Sequence, residues 1–202
     1  MFSGIVQEVA TVESVSGSDL ITLVIHSEQL ASCKIGDSIA INGVCLTVVT
    51  LDKVKGLVSF EAVPETLRKT TLGQLAAGSH VNLELSLSLN DFIGGHMVQG
   101  HVDGVGEVKS ITHEAEAWLV AISAPSEILR YLVNKGFITI DGMSITVIEV
   151  RDDCFTVTFI PHTVDATIVK NYQVGTKVNL EADPIGKHIH HYMEKIQHVS
   201  KN

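Results

Sequence analysis

An internal repeat constrains this chain more than any other feature of its sequence. Gly4-Ile5-Val6 recurs as Gly100-His101-Val102, with Val9 and Val105 following, at an offset of 96. Ile41-Asn42-Gly43-Val44-Cys45-Leu46-Thr47-Val48 recurs as Ile140-Asp141-Gly142-Met143-Ser144-Ile145-Thr146-Val147 at an offset of 99. Pro64-Glu65-Thr66-Leu67 matches Pro161-His162-Thr163-Val164, and Gly78 to Glu84 matches Gly175 to Glu181, both at 97. Matches in one order at nearly one spacing predict two homologous domains, 1–96 and 97–186, joined near Gly94-Gly95-His96, with a separate tail over 187–202.

Each copy reads as a run of short strands. Leu20 to Ile25, Ser38 to Ile41, Leu46 to Leu51, Leu57 to Val63 and His80 to Leu85 are rich in Val, Ile, Leu and Thr, and turn residues separate them. The second copy repeats the scheme at Trp118 to Ile122, Phe137 to Ile140, Ile145 to Val150, Phe155 to Ile160 and Lys177 to Leu180. About six strands per copy suit a small closed barrel, which leaves no sheet edge open. One helix is expected in each copy, short around Ser27 to Ala31 and clearer around Ser126 to Asn134, where Ile128, Leu129, Leu132 and Val133 make an apolar face. The fold class is therefore all-β with a C-terminal helix, as two tandem barrels.

The tail departs from the repeat. From Lys187 onward Ile189, Met193, Ile196 and Val199 form a one-faced helical stripe that has no counterpart in the first copy. Such a helix can fold back on its own barrel or meet copies of itself. Its terminal position after a Pro184-Ile185-Gly186 breaker favours the second.

Composition narrows the function classes. The 14 Lys and Arg against 23 Asp and Glu give a formal net charge of -9, which repels nucleic-acid backbones and anionic lipid. The first Lys or Arg is Lys34, so the N-terminus lacks the basic region of a signal peptide. No apolar run approaches the roughly 18 residues of a membrane span. Cys33, Cys45 and Cys154 are odd in number and lack a Cys-x-x-Cys spacing, which argues against a disulfide framework and for a reducing, cytoplasmic setting.

The chemistry-bearing positions are those where the copies differ. His188-Ile189-His190-His191 lacks the spacing and the partner carboxylate of a zinc-protease helix, and reads as surface or interface histidines with no metal. The glycines form no dinucleotide fingerprint or P-loop. Cys33 and Cys154 read as small buried hydrophobes. Cys45 follows a tight Asn-Gly turn in the repeated phrase, and Ser144 replaces it in the other copy, a hydroxyl that core packing alone does not favour. Ile5 becomes His101, Ser86 becomes Asp183, Glu65 becomes His162, and Gly36 lines up with Lys135. Cys45, His101 and Asp183 together suggest a composite site built from two similar pockets of different chemistry.

These motifs carry a resemblance. Met1-Phe2-Ser3-Gly4-Ile5-Val6, the Asn42 to Val48 phrase, Pro64 to Leu72, Gly94 to Gly104, and Lys135-Gly136 ahead of Asp141 to Val147 are similar to riboflavin synthase of the alpha-chain type, from residue 1 to about 190. Ser3 stands where threonine is common in that family, one hydroxyl for another. The resemblance implies two six-stranded Greek-key barrels, a C-terminal helix that assembles a homotrimer, and active sites between the first barrel of one subunit and the second barrel of its neighbour. It implies a transferase of riboflavin biosynthesis that needs no cofactor and dismutates two molecules of 6,7-dimethyl-8-ribityllumazine to riboflavin and a pyrimidinedione. Association with lumazine synthase is also implied.

Carried over residue by residue, the resemblance gives one lumazine Gly4, Ile5, Val6, Cys45, Leu46, Thr47, Glu61, Ala62, Val63, Pro64, Glu65 and Thr66. It gives the other Gly100, His101, Val102, Lys135, Ser144, Ile145, Thr146, Phe159, Ile160, Pro161, His162, Thr163 and Val164. The implied catalytic set is Cys45, His101, Ser144, Thr146 and Asp183. A non-catalytic lumazine or flavin carrier of the antenna type is the rival reading. A carrier needs one working pocket, whereas the second copy here keeps His101, Lys135, Ser144, Thr146 and Asp183.

Overall fold

The computed structural model describes the backbone of residues 1–199 and the side chains of 1–196. The expected helical residues 200–202, and the Val199 side chain of the expected stripe, lie outside the described residues. Strands β1 (Glu8–Ser16), β2 (Ile21–His26), β3 (Ser38–Ile41), β4 (Val44–Asp52), β5 (Leu57–Ala62) and β6 (His80–Leu85) close a barrel in the order β1-β2-β5-β4-β3-β6. Strands β7 (Gly104–Glu114), β8 (Ala117–Ser123), β9 (Phe137–Ile140), β10 (Met143–Val150), β11 (Cys154–Phe159) and β12 (Lys177–Ala182) close a second barrel of the same order. The helices are α1 (Pro64–Lys69), α2 (Ser126–Leu129), α3 (Pro161–Ala166) and α4 (Pro184–Val199).

Alternation explains the barrels. In β4, Val44, Leu46 and Val48 are buried, while the side chains between them point outward. Phe60, Ile25 and Leu83 fill the first barrel, and Phe155, Phe159 and Ile138 fill the second. The pairing register shifts at Val12/Ser14 and Val48/Thr50 in one copy and at Val108/Ser110 and Val147/Glu149 in the other. Such bulges bend a strand, and a barrel this small needs the bend at the same place in each copy.

Local winding differs from the sequence expectation at several places, and strands β1 and β7 add to the ranges expected. Residues 27–31 form a bend, not a helix: the Ser27 hydroxyl donates to Glu8 at 2.6 Å and accepts from the Gln29 N–H at 3.1 Å. Local bonds of that kind compete with helix formation in so short a run. The second expected helix stops at Leu129, and tighter turns carry the chain on, so Ile128, Leu129 and Leu132 are buried while Val133 is exposed. Helices α1 and α3 were not expected. Each is six residues long, too short for a periodic signal, and starts on Pro64 or Pro161, where the missing N–H costs nothing. Pro184 likewise opens α4, with Asp183 accepting from the Ile185 N–H at 2.9 Å. Pro184-Ile185-Gly186 is therefore the first helical turn and not a breaker.

The barrels pack about an approximate two-fold axis. At its centre Gly43 meets Gly142 so closely that a methyl on Gly43 would lie 2.6 Å from the Gly142 nitrogen. Asn82 donates its amide to the Asp141 carbonyl at 2.9 Å, and Asn179 donates to the Asn42 carbonyl at 2.8 Å. The two asparagines also accept from Ile168 N–H and Thr71 N–H of the opposite copy. Among the described residues no buried side-chain nitrogen or oxygen lacks a hydrogen bond. The buried polar side chains of the interface are thus fully paired, a condition that fixes one relative placement.

Candidate active site

The residues that lead into each barrel are exchanged across this axis. Phe2 and Val98 pair through reciprocal backbone bonds of 2.8 and 3.1 Å. Beyond that pair, Ser144 N–H donates to the Gly4 carbonyl at 2.8 Å, and Cys45 N–H donates to the Gly100 carbonyl at 2.9 Å. A methyl on either glycine would lie 2.6 Å from the facing Cβ, and both have φ near +77° (76° and 78°), so glycine is required there twice over. Each leader is anchored by the last strand of its own barrel. Glu84 accepts from Ser3 N–H, Ser3 hydroxyl and Gly4 N–H, and Glu181 accepts from the N–H groups of Gln99, Gly100 and His101. Burial raises both carboxyl pKa values, and the amide hydrogen bonds oppose the rise.

Two clefts result. The first, of about 420 Å³, brings Cys45 of β4 together with Thr66 and Lys69 of α1 and with His101 and Val102 of the second leader. The second, of about 130 Å³, brings Ser144 of β10 together with His162 and Thr163 of α3 and with Ile5 and Val6 of the first leader. They share no residue. This corrects the grouping implied by resemblance, which kept Gly4, Ile5 and Val6 with Cys45 and Gly100, His101 and Val102 with Ser144. Repeat spacing shows which residues correspond, not which barrel a leader lies against.

The other expected site residues fall into three groups. Leu46, Ala62, Phe159 and Val164 have buried side chains, Phe159 wholly enclosed, while Ile145, also largely buried, borders the second cleft. Thr47, Glu61, Val63, Pro64, Ile160, Pro161, Lys135 and Thr146 are exposed on the outer faces around the strand ends. Glu65 is exposed on α1, where the Arg68 guanidinium at 2.5 Å lowers its pKa. Asp183 caps α4 and lines a third cleft, of about 400 Å³, between that helix and Phe137 of β9. Among the described residues no cluster of His, Cys, Asp and Glu could hold a metal ion, and no helix is long and apolar enough to cross a membrane.

One contact was missed at the sequence level. His96, named there only as part of the inter-domain junction, puts Nδ1 2.6 Å from the Ser144 hydroxyl. The double glycine before it is the signal that could have pointed to it: a methyl on Gly95 would lie 2.3 Å from the Ser3 carbonyl and 2.5 Å from Ser144 Cβ. A junction that passes so close to a candidate reactive hydroxyl delivers its next side chain there.

Paired barrels with exchanged leaders and two non-identical clefts define a duplicated small-molecule-binding protein. The lumazine binding domain family matches this chain twice, over residues 3–86 and 99–183. The riboflavin synthase of Bacillus subtilis (strain 168) is 39% identical over 197 residues, covering 96% of this chain and 91% of its own length. That of Mycobacterium tuberculosis (strain ATCC 25618 / H37Rv) is 41% identical over 198 residues, covering 96% and 98%. Among solved structures, LumP complexed with 6,7-dimethyl-8-(1'-D-ribityl) lumazine superposes with a TM-score of 0.81 at 28% identity, covering 90% of this chain and 99% of that one. LumP complexed with riboflavin gives 0.83 at 28% and the same coverage. The chain belongs to the riboflavin synthase family and is an enzyme of that type, a transferase.

Proposed function

We propose that this enzyme dismutates two molecules of 6,7-dimethyl-8-ribityllumazine, one passing a four-carbon unit to the other, to give riboflavin and 5-amino-6-(ribitylamino)pyrimidinedione. The observation that carries the reading is the pair of like-built clefts that present Cys45 in one and Ser144 in the other. A dismutation binds one substrate in two opposite roles, and a duplicated domain supplies two similar cradles whose divergent residues assign those roles. Two lumazines contain all the atoms of the two products, so no outside oxidant, reductant or cofactor enters.

The roles follow from placement. Cys45 and His101 line one cleft, so Cys45, or a water it positions, assists at C7 of a lumazine, while His101 moves a proton at the C7 methyl. The electron-poor pteridine makes that methyl acidic. Ser144 and Thr146, two residues apart on the outward face of β10, orient the second lumazine through their hydroxyls. Lys135, exposed at the same barrel end, meets the ribityl chain. Asp183 steadies charge where a neighbouring subunit closes the site.

That neighbour is supplied by a homotrimer in the cytoplasm. Helix α4 leans on its own barrel through Lys187 and Asp103 at 2.9 Å and through His190 stacked edge-on against Tyr131. Yet Ile185, Ile189, Tyr192, Met193 and Ile196 each stay more than half exposed. Folding back leaves the stripe uncovered, which supports its burial against other copies.

The LumP likeness keeps a non-catalytic carrier as the second reading. Incubation of the purified protein with the lumazine alone separates the two: conversion yields riboflavin and the pyrimidinedione in equal amounts, while a carrier binds without turnover. His101→Gln should lower kcat about 100-fold, in the range of lost acid–base catalysis. If both it and Cys45→Ser left turnover within a few-fold of the parent, these roles would be wrong.

A further inference from the structure

Among the described residues, the nest around His96 exists in one copy alone. The ring is 7% exposed and stacks on Phe137 of β9 at 5.1 Å and 9°. Its Nδ1 meets Ser144 Oγ at 2.6 Å, and its Nε2 meets Thr139 Oγ1 at 3.2 Å. Thr139 and Ser144 are direct partners in the β9–β10 register, so one ring spans a cross-strand pair. In the first copy the three positions that hold the ring are Ser38, Ala40 and Cys45, with Ala40 and Cys45 in the same register. The three contact positions therefore differ together. Packing does not require this, since Ala40 and Cys45 are already packed against Phe2 and Val98.

We propose that His96 is a positioning residue for the second cleft: its neutral imidazole donates Nε2–H to Thr139 and accepts the Ser144 O–H at Nδ1, which turns the lone pairs of Ser144 toward the bound lumazine. This inference rests on the riboflavin synthase reading of the same cleft. Burial keeps the ring neutral by lowering its pKa below the usual histidine value, and the Asp183 carboxylate partly opposes that fall. Asp183 approaches from the turn between β12 and α4. The β9 and β10 neighbours Phe137, Thr139 and Ser144 are uncharged, and so is Ser3, whose partner Glu84 is already engaged with the leader N–H groups. Protonation would place a hydrogen on Nδ1, making Ser144 an acceptor from the ring and sending its own hydrogen toward the ligand. The polarity of the second cleft thus reverses when His96 is charged, and the first cleft has no such device.

The test uses the full-length protein with 6,7-dimethyl-8-ribityllumazine between pH 5 and 8.5. The parent should show an acid limb in kcat. His96→Gln keeps a neutral donor and acceptor but does not titrate, so it should stay within about threefold of the parent at pH 7.5 and show a shallower acid limb, His101 keeping its own proton-transfer step. His96→Phe keeps the stack on Phe137 without hydrogen bonds and should lose about tenfold in kcat with little change in KM. In a Ser144→Ala background His96→Phe should add nothing further, because the two act as a unit. An unchanged acid limb in His96→Gln, or parental kcat in His96→Phe, overturns the proposal. If the parent binds lumazine without converting it, the function reading alone has failed, and the same variants then decide the His96 proposal by the pH dependence of lumazine affinity.

Discussion

Asp141 shows how one residue sets a property of the whole interface. It occupies the position of Asn42 in the first copy but is a fully buried carboxyl, accepting from Tyr172 hydroxyl at 2.6 Å and Asn179 N–H at 2.8 Å. Burial raises its pKa to about 7, against the lowering effect of those two donors. A carboxyl with a raised folded pKa contributes its stability in full below the unfolded value and loses it as pH rises through the folded one. The protein should therefore lose thermal stability between about pH 4 and 8. Asp141→Asn, which restores the residue of the first copy, should weaken that slope; Glu84 and Glu181, also raised, account for what remains. A slope identical to the parent's in differential scanning calorimetry would contradict the assignment. Lys135 makes the opposite bargain with its backbone. It holds a φ of +67° where the first copy has Gly36 at +92°, a conformation that costs a side-chain-bearing residue about 1–2 kcal/mol. Lys135→Gly should keep or raise the melting temperature while weakening lumazine binding, and a drop in melting temperature with unchanged affinity would show that the cation is not what the position is kept for.

At the scale of the element, the exchanged leaders matter most. Phe2 is fully buried with Ala40 and Val98, although it lies outside both barrels and one residue from the chain start. Phe2→Ala should remove about 3–5 kcal/mol, the usual cost of emptying an aromatic site, and should expose the Cys45 side of the interface. Gly4→Ala and Gly100→Ala meet a second obstacle, since the added methyl strikes the facing strand and the backbone sits in the left-handed region. Each should detach one leader and so disable one cleft, and lumazine titration should then find one binding site per chain instead of two. Retention of two sites in Gly100→Ala would mean that the leader is not part of the first cleft.

At the scale of the molecule, the proposed trimer rests on the exposed apolar stripe of α4. Ile189→Glu with Met193→Glu should leave both barrels folded by circular dichroism, convert a trimer to monomers in sedimentation, and abolish turnover if the site closes between subunits. Activity in a proven monomer would refute the composite site. The sequence by itself determined the duplication, the strand-rich barrels and the positions where the copies diverge, because these are local: alternation, turn residues and repeat spacing need no partner. Helices α1 and α3 escaped because six residues hold too little periodicity. Cys45, His101 and Ser144 were legible as divergent positions, yet which leader Cys45 and Ser144 each meet was not. Only the tertiary structure decided that Gly4 lies on Ser144, that Gly100 lies on Cys45, and that His96 reaches the second cleft. Those pairings come from two barrels meeting about an axis, where fully paired buried polar side chains and two glycine contacts admit one docking, and no pattern within a single copy encodes them.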